Sequence, residues 1–433
     1  MTMNWSFNSS RAASCFVGRL LLLTLILVIT DGRAAQPTWW KGNLHTHSLW
    51  SDGDDYPEMI VDWYKEHGYH FLALSDHNIL AQGSKWIDAT TNKGGAVALD
   101  KYLKRFGANW VRLRERNGRQ QVRLKTLTEY RKLFEVPGSF LLIQNEEITD
   151  KYKSSPVHVN ATNLRELIKP QGGNSVREVI QNNVDAVFAQ HRRTRQPMFP
   201  HLNHPNFGWG VTAEDLMSVR NERFFEVYNG HPAVHNEGDA KHPGTDRLWD
   251  IILTMRLTEL NEGPLYGLGV DDSHNYHKQS SAHSNPGRGW VVVRATQLTA
   301  ANIVAAMEAG DFYTSSGVRL KEVRRGKESY EIEIDPEKGV TYTTQFIGTR
   351  KGFDRTSKPL LDEKGEPLPV TRQYSSDIGE ILAEEVTGPT ASYALKGDEI
   401  YVRARIISSK LKANPYVKGE FERAWTQPLV PNR

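Results

Sequence analysis

The chain has 433 residues, 39% of them hydrophobic and 24% charged, with a formal net charge of +3. That length excludes one small domain and leaves room for a sizeable core in two or three domains, with the composition of an ordinary soluble globular protein. So slight a charge neither favours nor excludes a nucleic-acid partner.

Arg11 and Arg19 precede an apolar run over residues 20–29, followed by "TDGRAAQ". This order of charged, apolar and small residues predicts a secretory signal over residues 1–34, cut after Ala34. The run is short for a bilayer span, so export (periplasmic or secreted) is expected, with no membrane attachment after cleavage. The only cysteine, Cys15, precedes the run and is poorly placed for lipidation. A mature chain without cysteine has no disulfides, and any metal site in it must use nitrogen and oxygen ligands.

Next, "WWKGNLHTH" predicts a buried strand ending in His45 and His47, with Asp52 close behind in "GNLHTHSLWSDG". Residues i and i+2 of a strand share a face, so the two imidazoles can converge. A metal pair and two surface histidines would read alike at this point. Asp55 then offers an N-cap, Pro57 a first turn, Met59, Ile60, Trp63 and Tyr64 an apolar stripe, and Gly68 a stop. "YHFLALSDHN" is a second strand, with Asp76 and His77 at its end. In barrels of parallel strands, active sites are built at the carboxyl ends of the strands.

An insertion follows at about residues 82–130. Within it, "WVRLRERNGRQQVRLKTL" predicts two strands joined by a tight turn at Asn117-Gly118. From Lys101 to Lys125 nine Lys or Arg residues face one acid, Glu115. The hairpin is either a solvated face or a basic lip beside a site that accepts anions.

Short apolar runs ending in polar residues then recur. "FLLIQNEEIT" ends in Glu146 and Glu147, "PVHVNAT" carries His158, and "PMFPHLNHPN" carries His201 and His204. "RFFEVYNGH" ends in Asn229 and His231, and "LYGLGVDDSHNY" in Asp271, Asp272 and His274. Helical segments such as "SVREVIQNNVDAVFAQHR" and "TDRLWDIILTMRL" lie between them. The alternation predicts an α/β fold with a largely parallel sheet, a barrel over residues 38–317. Beyond it, "ESYEIEID" and "EIYVRARI" alternate with period two and predict a β-sandwich-like antiparallel domain over residues 318–433. That domain contains no histidine and reads as a packing or assembly module.

His45, His47, Asp52, His77, Glu147, His158, His204, Asp272 and His274 all fall at or just after predicted strand ends. Nine such groups on one barrel edge would repel and desolvate one another unless cations held them together. Metal binding follows. Around them, Asp76 reads as support for His77 or as a plain strand end, and His201 and Asp271 read as structural. Asn229 and His231 are candidate pocket lining. Arg288, between Gly287 and Gly289, has room to meet a phosphate or carboxylate, or pairs elsewhere as a loop residue.

In their order, "HTHSLWSDG", "LSDHN" with His77 twenty-five residues after Asp52, "EEIT", "HVNA", "NHPN" and "DDSH" resemble the motifs of the PHP (polymerase and histidinol phosphatase) superfamily. The resemblance spans about residues 38–317. "GVDDSHNY" followed by "GRGWVVVRA" is most similar to the branch that includes carbaryl hydrolase. The long basic insertion departs from the family. Glu147, rather than Glu146, fits its pattern of a glutamate followed by an apolar residue and Ser or Thr. The resemblance implies a distorted seven-stranded (β/α) barrel with two to three divalent transition-metal ions. His45, His47, Glu147 and Asp272 would bind one ion; Glu147 would bridge to a second held by His158 and His204; Asp52, His77 and His274 would bind a third. Imidazole and carboxylate ligands suit zinc, manganese or iron.

The expected activity is hydrolysis of a small anionic phosphate ester, monoester or diester, by a metal-bound hydroxide. Glu147 and Asp272 would hold the reacting centre, and Arg288 would bind the anion. The alternatives are a carbamate, ester or amide hydrolase of the carbaryl-hydrolase type, a 5'-3' exonuclease resting only on the basic hairpin, and a metal-binding protein without turnover. So many ligands on an edge open to solvent disfavour the last. Nothing in the sequence fixes the oligomeric state.

Overall fold

The computed structural model describes residues 36–383 and 385–431; the expected signal segment, its cleavage site and Cys15 lie outside the described residues. Strand Thr38–Asn43 sits inside a ten-stranded sheet. On one side it pairs in parallel with Phe71–Leu72, which pairs in parallel with Leu141–Leu142. On the other it pairs antiparallel with Trp290–Ala295, and the sheet runs on through Phe312–Ser315, Phe421–Thr426, Glu399–Leu411 and Tyr342–Arg350. Strands from beyond residue 317 are thus hydrogen-bonded into the sheet that begins at Thr38. A three-stranded sheet of Leu320–Arg325, Ser329–Ile334 and Thr390–Ala394 packs over it, burying Tyr330, Ile332 and Ile334 with Phe346, Val402, Ala404 and Ile406.

A second, five-stranded sheet orders Tyr266–Val270, Phe224–Asn229, Phe199–Leu202, Ser155–Thr162 and Asn145–Tyr152. The first three are mutually parallel, whereas Ser155–Thr162 runs antiparallel to both its neighbours. The expectation of a largely parallel sheet fails here for a simple reason. Tyr152 pairs with Ser155, so only residues 153 and 154 join those strands, and a parallel crossover needs a dozen or so. The architecture is mixed α/β with several sheets. Two single parallel backbone bridges also link the two large sheets, Thr46 with Ser273 and His77 with Glu147.

Helix Pro57–Glu66 forms as expected, with Ile60, Val61 and Tyr64 buried. Its N-cap residue is Tyr56; the Asp55 carboxylate accepts only from the Tyr56 N–H. Helix Val176–Thr194 starts where Ser175 accepts from the N–H of Glu178. Helix Thr245–Thr258 is buried on most sides, polar Thr245, Asp250 and Thr254 included, because the five-stranded sheet covers one side and Tyr401 and Trp425 the other. Its Asp250 takes both Nε and Nη2 of the buried Arg403, at 2.8 and 2.7 Å. In the insertion, Lys85–Asp88, Leu113–Arg116 and Arg119–Leu124 form a small sheet, with Asn117 and Gly118 both at positive φ as the tight turn requires. No helix among the described residues is long and apolar enough to cross a membrane.

Candidate metal centre

The site is built where the two sheets meet. The Asp272 N–H donates to the His45 carbonyl and the His47 N–H to the Ser273 carbonyl, so the two segments are zipped together. His45 and His47 are fully buried, with their Nε2 atoms 3.1 Å apart. Asp272 Oδ1 lies 3.3 and 3.2 Å from those two nitrogens. Asp272 holds φ 48°, a left-handed conformation that costs a non-glycine residue roughly 1 kcal/mol or more and persists where a site demands it.

Glu147 reaches the same point from its own strand. Its Oε2 lies 3.5 Å from His45 Nε2, 3.4 Å from His47 Nε2 and 2.8 Å from His77 Nδ1. Its Oε1 lies 2.9 Å from His158 Nδ1 and 3.4 Å from His204 Nε2, and accepts a bond from Asn203 Nδ2. One carboxylate thus faces five imidazoles, His45, His47 and His77 with Oε2 and His158 and His204 with Oε1. At the mouth, Asp52 Oδ1 stands 3.4 Å from His77 Nε2, 3.3 Å from His274 Nε2 and 3.8 Å from His47 Nδ1. All nine expected ligands are brought together. His47 turns Nε2 to the first group and Nδ1 to the third.

Metal ions fit this donor set. A tetrahedral ion with nitrogen and oxygen ligands at about 2.0–2.1 Å has donor–donor edges of about 3.3–3.4 Å. Five of the six separations among His45, His47, Glu147 and Asp272 run from 3.1 to 3.5 Å, and His45, His47 and Asp272 lie together as a group that could hold an ion. His47 Nδ1 is buried with no hydrogen-bond partner, a cost of about 1–3 kcal/mol unless something binds there. Burial and the facing His274 push His47 down to about 3, which leaves its ring neutral with one nitrogen lone pair to offer. Burial works to raise the Glu147 carboxyl, but His45, His158 and His77 outweigh it and keep it ionised.

A cavity of about 500 Å³ opens over the cluster, with Asp54, Lys93, Phe207, His231 and Asn275 completing its lining. His231 therefore lines the pocket, and Asn229 donates to Asp272 Oδ2 from below. Asp76 does not orient His77. Its carboxylate accepts from N–H and hydroxyl of both Ser48 and Ser51 and so fixes the loop that carries Asp52. His77 Nδ1 instead meets Thr149 Oγ1 at 2.6 Å. Glu146 turns away and accepts from the Ile168 N–H, its carboxyl pushed up to about 8 by burial.

Arg288 corrects the sequence reading. It is fully buried, and its guanidinium donates to the carbonyls of Gly230, Ser280, His283 and Asn414. Asp271 accepts from the N–H groups of Gly287, Arg288 and Gly289 and so locks the same loop. The flanking glycines serve this packing, not the approach of a substrate. The basic hairpin also stays away from the cavity lining: Arg114 lies over the Trp86 ring at 4.0 Å and Arg123 pairs with Glu129 at 2.7 Å.

Sequence reasoning missed Glu226. It is fully buried, 2.6 Å from His45 Nδ1 and 3.4 Å from His201 Nε2. It also accepts from the His204 N–H and from Asn229 Nδ2, both at 2.8 Å. Burial alone would raise its carboxyl, but His45 and His201 hold it at about 2. The signal was there to read: an acid inside the apolar run "FFEVY" needs partners if it is buried.

No family model matches the chain, and no curated protein matches it. Among solved structures it is similar to a two-domain protein from Bacteroides vulgatus containing a predicted PHP-like metal-dependent phosphoesterase, at 14% identity over 90% of this chain and 95% of that one, TM-score 0.39. It is also similar to a protein from Bifidobacterium adolescentis described as a metal-dependent phosphoesterase, at 14% identity over 56% of this chain and 91% of that one, TM-score 0.30.

Proposed function

We propose that the chain is an exported multinuclear metal-dependent hydrolase of phosphate esters, of the PHP type. The observation that carries this is the carboxylate of Glu147, whose two oxygens face separate groups of imidazoles, His45, His47 and His77 on one side and His158 and His204 on the other. We read the two single bridges between the sheets as the closure of a distorted seven-stranded ring around that carboxylate. His45, His47, Glu147 and Asp272 would hold one ion, Glu147, His158 and His204 a second, and Asp52, His77 and His274 a third. Zinc, manganese or iron suits these donors, and the bound ions would polarise a phosphoryl oxygen and activate water near neutral pH.

The chain's own groups set the charge that a substrate meets. Four carboxylates line the cavity (Asp52, Asp54, Glu147 and Asp272) with Lys93 beside them. Two divalent cations offset those carboxylates, and a third leaves the cavity positive toward an anion. With the hairpin arginines outside the lining, the exonuclease reading loses its one support. Export rests on residues 11–34 of the sequence.

The test is a panel of phosphomonoesters, phosphodiesters, carbamates and carboxylic esters given to the metal-reconstituted protein. Turnover of phosphoesters, abolished by chelation and restored by metal, is the expected result. Turnover confined to carbamates or carboxylic esters would replace this reading with the carbaryl-hydrolase type.

A further inference from the structure

The basic insertion reaches the metal pocket, but not through its hairpin. It does so through the loop 89–94, and that loop is built to hold its place. Asp88 Oδ1 accepts from the N–H groups of Thr90 and Thr91, and Asn92 Oδ1 from those of Gly94 and Gly95. Gly94 lies so close to the metal loop that an added Cβ would stand 2.1 Å from the Asp54 carbonyl oxygen. Any other residue there would push the loop off.

This contact hangs Lys93 over Asp52. The ammonium donates to the Asp52 carbonyl at 2.7 Å and approaches its Oδ2 at 3.3 Å. It has three donors, so one remains for a molecule in the cavity. Among the described residues that line the cavity, Lys93 is the only Lys or Arg. Its side chain is 59% exposed, so it can swing toward a ligand at little cost in packing.

We propose that Lys93 is the substrate-anion contact of this centre, and that it fits the site to esters carrying one terminal phosphate. The inference rests on the phosphoesterase reading above. A single ammonium meets a single compact anion, whereas a polynucleotide presents a row of phosphates and needs a row of cations. Asp54 in the same lining repels a second anionic group. The insertion is then the element that sets substrate class.

The experiment compares the parent with Lys93→Ala and Lys93→Arg, all metal-loaded, using inorganic phosphate as the titrant and a phosphomonoester, a dinucleotide and a neutral ester as substrates. Lys93→Ala should bind phosphate about tenfold more weakly and raise KM for the monoester by a similar factor, with metal content unchanged. Lys93→Arg should recover part of the loss, because it keeps the charge. Phosphate binding equal to the parent's in Lys93→Ala would overturn the proposal. Loss of a metal ion in Lys93→Ala would overturn it too, since Lys93 would then act by holding Asp52. A dinucleotide preferred over the monoester by the parent would overturn the assigned substrate class. A parent that binds phosphate through Lys93 yet hydrolyses no phosphoester would sink the functional reading alone.

Discussion

Glu226 Oε1 lies 2.6 Å from Nδ1 of His45, and both side chains are fully buried. With Nδ1 donating to that carboxylate, the Nε2 lone pair of His45 is aimed at the point shared by His47, Glu147 and Asp272. The same carboxylate fixes the backbone of His204 and, through Asn229, the side chain of Asp272. Glu226→Gln should therefore weaken metal binding by about 10–100-fold while keeping nearly the same volume. A metal titration followed by calorimetry measures this; affinity equal to the parent's would mean that Glu226 only fills the core.

Glu147 and Glu146 are adjacent but placed in opposite surroundings. Glu147→Gln removes the charge shared by two groups of imidazoles, so both metal content and kcat should fall sharply. Glu146 already favours its neutral form, so Glu146→Gln should leave both within about twofold. Elemental analysis beside turnover for the two variants separates them, and equal losses would show that the acids have been told apart wrongly.

Glu222 is buried away from this cluster, and burial pushes its carboxyl from an ordinary 4.5 up to about 8. The folded chain thus binds a proton that the unfolded chain releases over that interval. The contribution to stability is fully present below about pH 4.5 and is lost as pH rises through about 8. Glu222→Gln cannot ionise, so denaturant unfolding of the metal-free protein should show a flatter decline in stability between these limits. An unchanged slope would place the titration elsewhere.

Arg403 is buried between Asp250, at 2.7 Å, and Asp246, at 2.9 Å. It ties the long strand Glu399–Leu411 to helix Thr245–Thr258. Arg403→Met leaves the buried Asp250 carboxylate with only the Tyr401 hydroxyl and should cost about 3–5 kcal/mol, read as a lower Tm. Metal affinity of the surviving folded fraction should not move. A variant as stable as the parent would show that the two elements are held by apolar packing alone.

The cluster of nine imidazoles and carboxylates was legible in the sequence because the motifs kept their order, although Glu147 and His158 lie within their strands and not at strand ends. Glu147 could be told from Glu146 by its neighbours. The hairpin of Asn145–Tyr152 with Ser155–Thr162 was hidden because "EEIT" and "HVNA" read as separate apolar runs, and only the two-residue spacing betrays it. Arg288 misled because glycines beside an arginine signal room, and only the fold shows that carbonyls fill that room. Lys93 was invisible: one lysine in a polar loop carries no periodicity, and its place over Asp52 depends on how Gly94 packs.

The Glu147 carboxylate joins two groups of ligands, so the count of bound ions is the direct test of a multinuclear centre. Protein reconstituted with zinc or manganese, freed of loosely held metal and weighed by elemental analysis, should carry two to three ions per chain, because the nine ligands exceed what one ion can accept. One ion or fewer, even after supplementation, would contradict it.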